Sequence, residues 1–218
     1  MIKTEGSTKV LEINIFIGMM VLNPPDRLLV VKGFKDTVTV DWPLTVFYIL
    51  LVVVPAYTAN GMALIVGGGK PLDGGRNLRD GRRILGDGKT VRGTFLGILF
   101  GVLAALAISL AASPIYGNSL FQGCFLVGVT ASMGAVSGDL LGSFAKRRFD
   151  IPSGYPVPLL DQLDFILMAL LFAYLANLFW KVIVFTPTVT LTIVIVTPFV
   201  HIIGNLIVYK AGRKKHPW

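Results

Sequence analysis

The apolar residues of this chain run in long unbroken blocks, without the alternation of a half-buried strand or the stripe of an amphipathic helix. The blocks are Leu44 to Gly67, Thr94 to Ala112, Leu120 to Gly138, Phe165 to Trp180 with a few flanking residues, and Val189 to Tyr209, and none contains Lys, Arg, Asp or Glu. A hydrocarbon core about 30 Å thick takes about 20 apolar residues per helix. The pattern therefore predicts an all-α polytopic membrane protein with five transmembrane helices. Trp42, Trp180 and Tyr209 fall near the ends of these blocks, where amphipathic rings favour the headgroup layer. Pro187 separates the last two spans, and Pro198 predicts a kink within the fifth, with Thr197 beside it to bond freed backbone groups.

Residues 1–42 follow another pattern. Ile13 to Leu22 is apolar but too short to span, and Asn23-Pro24-Pro25-Asp26 follows it where a signal peptide would have small residues. This region reads as a peripheral segment lying on the membrane, without catalytic residues. Residues 43–218 read as one transmembrane catalytic domain with cytosolic loops at 68–92 and 144–164.

Composition agrees. Of 218 residues 54% are hydrophobic and 15% charged, against roughly 25% charged in soluble domains, and mean hydropathy is +0.72. A water-soluble enzyme is not expected on those grounds. The single cysteine, Cys124, rules out an internal disulfide framework and a cysteine-cluster zinc site. A net charge of +8 would suggest nucleic acid in a soluble protein, but here the charges are segregated along the chain and no nucleic-acid partner is expected. Lys70, Arg76, Arg79, Arg82, Arg83, Lys89 and Arg92 follow span one; Lys146, Arg147 and Arg148 follow span three; Lys210, Arg213, Lys214 and Lys215 follow span five. The opposite connections hold only Lys181. Positive-inside bias then predicts an external N-terminus and a cytosolic C-terminus. Beyond residue 42 all the acidic residues (Asp73, Asp80, Asp87, Asp139, Asp150, Asp161, Asp164) fall on that same cytosolic side or its membrane edge, so the polar chemistry faces the cytosol.

Small residues recur every fourth position at Gly93, Gly97, Gly101 and Ala105, and again at Gly134, Gly138 and Gly142. That spacing makes a flat helix stripe suited to close packing in lipid. Gly67-Gly68-Gly69 and Gly74-Gly75 flank charged residues and serve equally as turns or as backbone that approaches phosphate.

Two polar stretches carry the chemical signal. Asp80 to Gly93 packs several cations, Asp80, Asp87 and glycines into one short loop before span two; its glycine spacing is not that of a Walker A loop. The second runs from Gly138 through Asp150 to Phe165. Asp139 sits at the end of span three, where an unpaired carboxylate is costly. Asp161 and Asp164 share one face if their segment is helical. Three carboxylates converging at a membrane edge suit Mg²⁺, which takes one or two carboxylates plus substrate phosphates, and Lys146 and Arg147 would neutralise phosphate oxygens. The alternative is plain: aspartates favoured at a helix N-terminus beside positive-inside cations.

Pro55-Ala-Tyr-Thr-Ala-Asn-Gly61, Gly67-Gly-Gly-Lys-Pro-Leu-Asp-Gly74, Gly86-Asp-Gly-Lys-Thr90 and Leu160-Asp-Gln-Leu-Asp-Phe165 together resemble the archaeal CDP-archaeol synthases, from about Leu44 to the end. More distantly they resemble the bacterial and eukaryotic CDP-diacylglycerol synthases. Ser143, Lys146, Arg147, Asp161 and Asp164 match outer elements of the broader cytidylyltransferase signature, and Lys89-Thr90 resembles its upstream Lys-Lys-Thr. The Lys-Asp pair and His-Gly-Gly of that signature are missing, and Gln162 stands where arginine is usual, departures that fit the archaeal branch. The resemblance implies transfer of a cytidylyl group from CTP to an isoprenoid glyceryl-ether phosphate in the membrane, giving CDP-archaeol and pyrophosphate. It implies Mg²⁺ held by Asp139, Asp161 and Asp164. Lys89, Thr90, Arg92, Lys146, Arg147 and Asp87 would serve the phosphates, with Asn60 and Ser143 bonding nucleotide or headgroup. His201, Asn177 and Asn205 read as structural. Two rivals stand beside this reading. A secondary transporter would place its polar site near the midplane within repeats, and no repeat is evident. A CDP-alcohol phosphotransferase would need an Asp-Gly-x-x-Ala-Arg block that Asp73-Gly74-Gly75-Arg76 does not supply.

Overall fold

A computed structural model describes residues 42–117, 120–182 and 185–212. The peripheral segment expected over residues 1–42 lies outside the described residues except for Trp42, as does the basic tail from Arg213. Five helices follow in order: α1 Trp42–Ile65, α2 Val91–Tyr116, α3 Phe121–Arg148, α4 Leu160–Trp180 and α5 Pro187–Lys210. All five are long and apolar enough to cross a membrane, as the hydropathy blocks predict.

Local chemistry sets the helix ends. Thr90 caps α2, its Oγ1 accepting from the Gly93 N–H at 3.1 Å. Thr186 caps α5 by accepting from the Val189 N–H, and Pro187 occupies the first turn, where its missing N–H costs nothing. Inside α5 the Thr197 hydroxyl donates to the Ile193 carbonyl at 2.6 Å beside Pro198. The largest difference from expectation concerns α3, which runs ten residues past Gly138 to Arg148. Charged side chains do not end a helix, and Lys146, Arg147 and Arg148 in its last turn complement the partial negative charge there. Hence the expected cytosolic segment 144–164 includes the end of α3 and the start of α4, joined by residues 149–159.

Glycine decides how closely the helices approach. A Cβ at Gly97 would lie 2.7 Å from the Ala59 carbonyl oxygen and 2.8 Å from the Ala63 Cβ, so α2 rides directly on α1. Gly134 and Gly138 meet the α4 backbone at Met168 and Asp164 in the same way. The two stripes are thus packing surfaces. α1 touches every other helix, whereas α5 touches only α1 and α4. Phe165, fully buried, anchors this arrangement, with the Tyr57 ring of α1 at 5.2 Å and the His201 ring of α5 at 5.6 Å. Because α5 does not touch α3, a gap remains between α1, α3 and α5 at the end of the bundle where those three helices finish.

Gly97→Ala should lower the stability of the detergent-solubilised protein by about 1–3 kcal/mol through overpacking. Gly61→Ala, where nothing lies within 4 Å, should cost nothing or add a few tenths of a kcal/mol. Unfolding midpoints of the two variants check this.

Candidate functional site

That gap is a cleft of about 380 Å³. Its floor and walls come from Tyr57, Asn60 and Leu64 of α1, Val136, Asp139 and Ser143 of α3, and Val200, His201 and Asn205 of α5. Lys89 and Thr90 enter from the α1–α2 connection, Lys146 and Arg147 from the last turns of α3, and Asp161 from the first turn of α4. Eight of the expected site residues therefore meet in one place: Asn60, Lys89, Thr90, Asp139, Ser143, Lys146, Arg147 and Asp161.

Two ion pairs dominate it. The Lys89 Nζ donates to both Asp139 carboxylate oxygens at 2.6 Å, joining residues fifty positions apart. The Lys146 Nζ donates to Asp161 Oδ1 at 2.6 Å, while Asp161 Oδ2 accepts from the Val157 N–H at 3.0 Å. All four side chains are partly buried. At a membrane rim an uncompensated charge is expensive, so pairing is what permits such a density of ionised groups.

Asp164 stands behind this layer. It does not line the cleft; its carboxylate lies on Gly142, where any Cβ would collide with it, and Asp139, Lys89 and Asp161 are its charged neighbours. The expected three-carboxylate cage is not assembled: among the described residues no three His, Cys, Asp or Glu side chains are gathered closely enough to hold a metal. Lysines hold Asp139 and Asp161 instead. The donor set still fits Mg²⁺, because carboxylates are hard oxygen ligands, the glycine at 142 leaves room for the Asp164 group, and Mg²⁺ needs only one or two carboxylates when phosphates and water complete its shell.

The α1–α2 connection is built to deliver Lys89. The Asp73 side chain is 1% exposed and accepts from the N–H groups of Gly75, Leu85 and Gly86 and from the Arg83 guanidinium at 3.0 Å. Burial pushes its carboxyl up, but Arg83 and these three N–H groups outweigh that and hold it well below the usual carboxylate range. Backbone bonds from Leu72 to the Lys89 carbonyl and from Val91 to the Lys70 carbonyl then clamp the stem. Gly68 has φ +120°, and its N–H donates to Thr90 Oγ1 at 3.1 Å, so the triple glycine makes a turn and Thr90 spends its oxygen on two backbone donors. A second clasp ties this connection to α3: Arg82 reaches the Arg148 carbonyl and Asp150, and Arg148 reaches Asp80.

Outside the cleft lies a smaller pocket of about 250 Å³, walled by Arg82, Arg83, Asp87, Arg147 and residues 150–153. Asp87 belongs here, exposed and paired with Arg83 at 2.8 Å. Arg92 joins neither pocket: α2 begins at Val91, which places Val91 and Arg92 on the outer, exposed side and Gly93 and Thr94 on the inner one. Tyr57, Tyr155, His201 and Asn205 line the cleft although they read as structural or went unremarked in the sequence. Spacing on α5 was the available signal, since Val200, His201, Gly204, Asn205 and Val208 form one face.

Five helices long and apolar enough to cross a membrane, with lysines, an arginine and carboxylates gathered in a cleft at one end of the bundle, define a polytopic membrane protein with a charged cleft. Comparison with known proteins gives the particular family. The CarS-like CDP-archaeol synthase family model matches residues 43–218. The CDP-archaeol synthase of Methanosarcina mazei is 45% identical over 174 residues, covering 76% of this chain and 99% of that protein. That of Methanocaldococcus jannaschii is 44% identical over 178 residues, covering 79% and 97%. A solved intramembrane enzyme for archaeal membrane lipids biosynthesis superposes with TM-score 0.60 at 37% identity, covering 72% of this chain and 91% of that one. The chain belongs to the CDP-archaeol synthase family, and neither the transporter nor the CDP-alcohol phosphotransferase reading is favoured by these relatives.

Asp73→Asn should loosen the α1–α2 connection, read as faster amide exchange at Leu85 and Gly86. Because the folded carboxyl lies below its unfolded value, its contribution is complete above about pH 4 and fades as pH falls further toward the folded value. In the unsubstituted protein the protection of these two amides should fall over that acid range, whereas in Asp73→Asn it should already be low at neutral pH.

Proposed function

We propose that this chain transfers the cytidylyl group of CTP to 2,3-bis-O-geranylgeranylglyceryl phosphate, forming CDP-archaeol and pyrophosphate at the cytosolic face of the membrane, with the N-terminus outside and the C-terminus in the cytosol. The observation that carries it is the cleft, in which Lys89, Asp139, Lys146, Asp161 and Arg147 meet a wall of α1 and α5 apolar residues. A polar pocket for a triphosphate thus adjoins a path for isoprenoid chains. The segregation of basic residues supports the orientation.

The lipid phosphate oxygen attacks the α-phosphorus in line, and catalysis of such transfers is mainly positioning and charge neutralisation. A phosphate monoester has a second pKa of about 6 and exposes an anionic oxygen at neutral pH, so no general base is required and His201 needs no catalytic part. Lys89, Lys146 and Arg147 bind the triphosphate, and Ser143 and Asn60 bond to nucleotide or headgroup. Asp139, Asp161 and Asp164 would hold Mg²⁺, which supplies charge neutralisation across the phosphates when bound. Release of Asp139 and Asp161 from their lysines frees both partners at once, carboxylates for the cation and ammonium groups for phosphate.

Membranes carrying the protein, incubated with labelled CTP, Mg²⁺ and a panel of ether and ester lipid phosphates, should pass label into extracted lipid with the isoprenoid ether acceptor. Asp161→Ala and Asp164→Ala should lower that incorporation by about 100-fold or more, and EDTA should stop it until Mg²⁺ is restored. Undiminished incorporation in both variants would defeat the metal assignment.

A further inference from the structure

The helical glycines of the described residues are of two kinds. Every glycine in α2 and α3 would place a Cβ 2.7 Å or less from a neighbouring atom, so each is there for close packing. Gly61 of α1 and Gly204 of α5 are the remaining two, and a Cβ at either would meet nothing within 4 Å. Glycine inside a helix is destabilising relative to alanine because it gives up more backbone freedom on folding. Two interior glycines without a packing partner therefore point to something other than the fold itself.

Both line the same cleft. Gly61 falls between Tyr57 and Leu64 on the cleft face of α1, and Gly204 between His201 and Val208 on that of α5. These two helices bring no Asp, Glu, Lys or Arg to the cleft, whose charges come from α3, α4 and the α1–α2 connection. They also form its open side: α5 touches only α1 and α4, and it does not meet α2 across α1. Leu64 and Val200, which line the cleft, are 47% and 41% exposed, and within a span that exposure is to lipid. Given the cytidylyl transfer proposed above, on which this step rests, the acceptor keeps its phosphate among the charged groups while its chains stay in the hydrocarbon layer. The chains then leave the cleft sideways, where the wall is apolar and open. Lipid is as apolar as that wall, so no hydrophobic gain draws a chain in, and steric room decides which chain passes. An isoprenoid chain carries regularly spaced methyl branches and is wider than a straight one.

We infer that Gly61 and Gly204 are specificity-determining residues for the acceptor: their missing side chains, on the α1 and α5 walls of the cleft, leave the slot through which a methyl-branched chain passes from the cleft into the surrounding lipid.

Graded enlargement tests it in the full-length solubilised protein. Alanine and leucine are placed singly at Gly61 and at Gly204, and three quantities are read: the KM of the isoprenoid ether phosphate, equilibrium binding of labelled CTP, and the unfolding midpoint. The acceptor KM should rise about tenfold or more with Gly61→Leu and Gly204→Leu, and by less with Gly61→Ala and Gly204→Ala. CTP binding should stay unchanged, and the midpoint should hold or rise because each substitution removes a helical glycine. A straight-chain dialkylglyceryl phosphate, added as a competitor, reads the width of the slot. Alanine at either position should move its inhibition constant less than it moves the KM of the branched acceptor. An acceptor KM unmoved by both leucines, CTP binding weakened in parallel with it, or equal movement for straight and branched chains overturns the assignment. So does a midpoint lowered by leucine, which would mean that protein and not lipid fills the slot. Absence of any lipid labelling in the unsubstituted protein would instead defeat the parent reading.

Discussion

Ionised side chains can sit at the rim of a hydrocarbon layer only when each has a counter-charge, and the working end of this molecule is organised around that constraint. Lys89 answers Asp139 and Lys146 answers Asp161 at 2.6 Å each. Each pair joins two chain segments: the first binds the α1–α2 connection to α3, the second binds the end of α3 to the start of α4. The electrostatic requirement therefore also fixes the geometry of the cleft. Arg147 is buried beside these pairs with Asp161 as a neighbouring opposite charge, though no carboxylate among the described residues bonds it directly.

Packing makes this placement possible. Glycines on α2 and α3 let backbones approach to a distance that any side chain would prevent, and the same stripe that seats α4 on α3 ends at Gly142, against which the Asp164 carboxylate lies. One run of small residues thus serves first as a helix contact and, at its C-terminal end, as a seat for an acidic group. α5 is excluded from this close packing and touches only α1 and α4, which leaves the cleft open beside α3.

The five helices were legible because lipid demands long uncharged blocks, and that demand is written residue by residue. The end of α3 was not, because the expected span stops at the first charge, Asp139, while the helix itself continues to Arg148. Asp139 stood out as a charge in a costly place, and Lys89, Lys146 and Asp161 as charges in the two polar stretches; their pairing did not, since nothing local connects Lys89 to a residue fifty positions on. Asp73 was quoted within a motif without a role, and its importance lies in backbone donors from Leu85 and Gly86 that only the folded connection brings to it. Arg92 matched by composition but falls on the outer side of α2. Resemblance supplied the expected substrates, and the geometry then sorted which cations line the cleft.

The central claim is that this cleft moves the cytidylyl group itself. CTP labelled at the α-phosphorus and CTP labelled at the γ-phosphorus, supplied in parallel with the isoprenoid ether phosphate to the purified protein, separate the possibilities in one extraction. The account predicts α-label in the lipid phase and γ-label wholly in water-soluble pyrophosphate, with α-label lost in Asp139→Asn. Entry of γ-label into lipid, or α-label undiminished by Asp139→Asn, would contradict it.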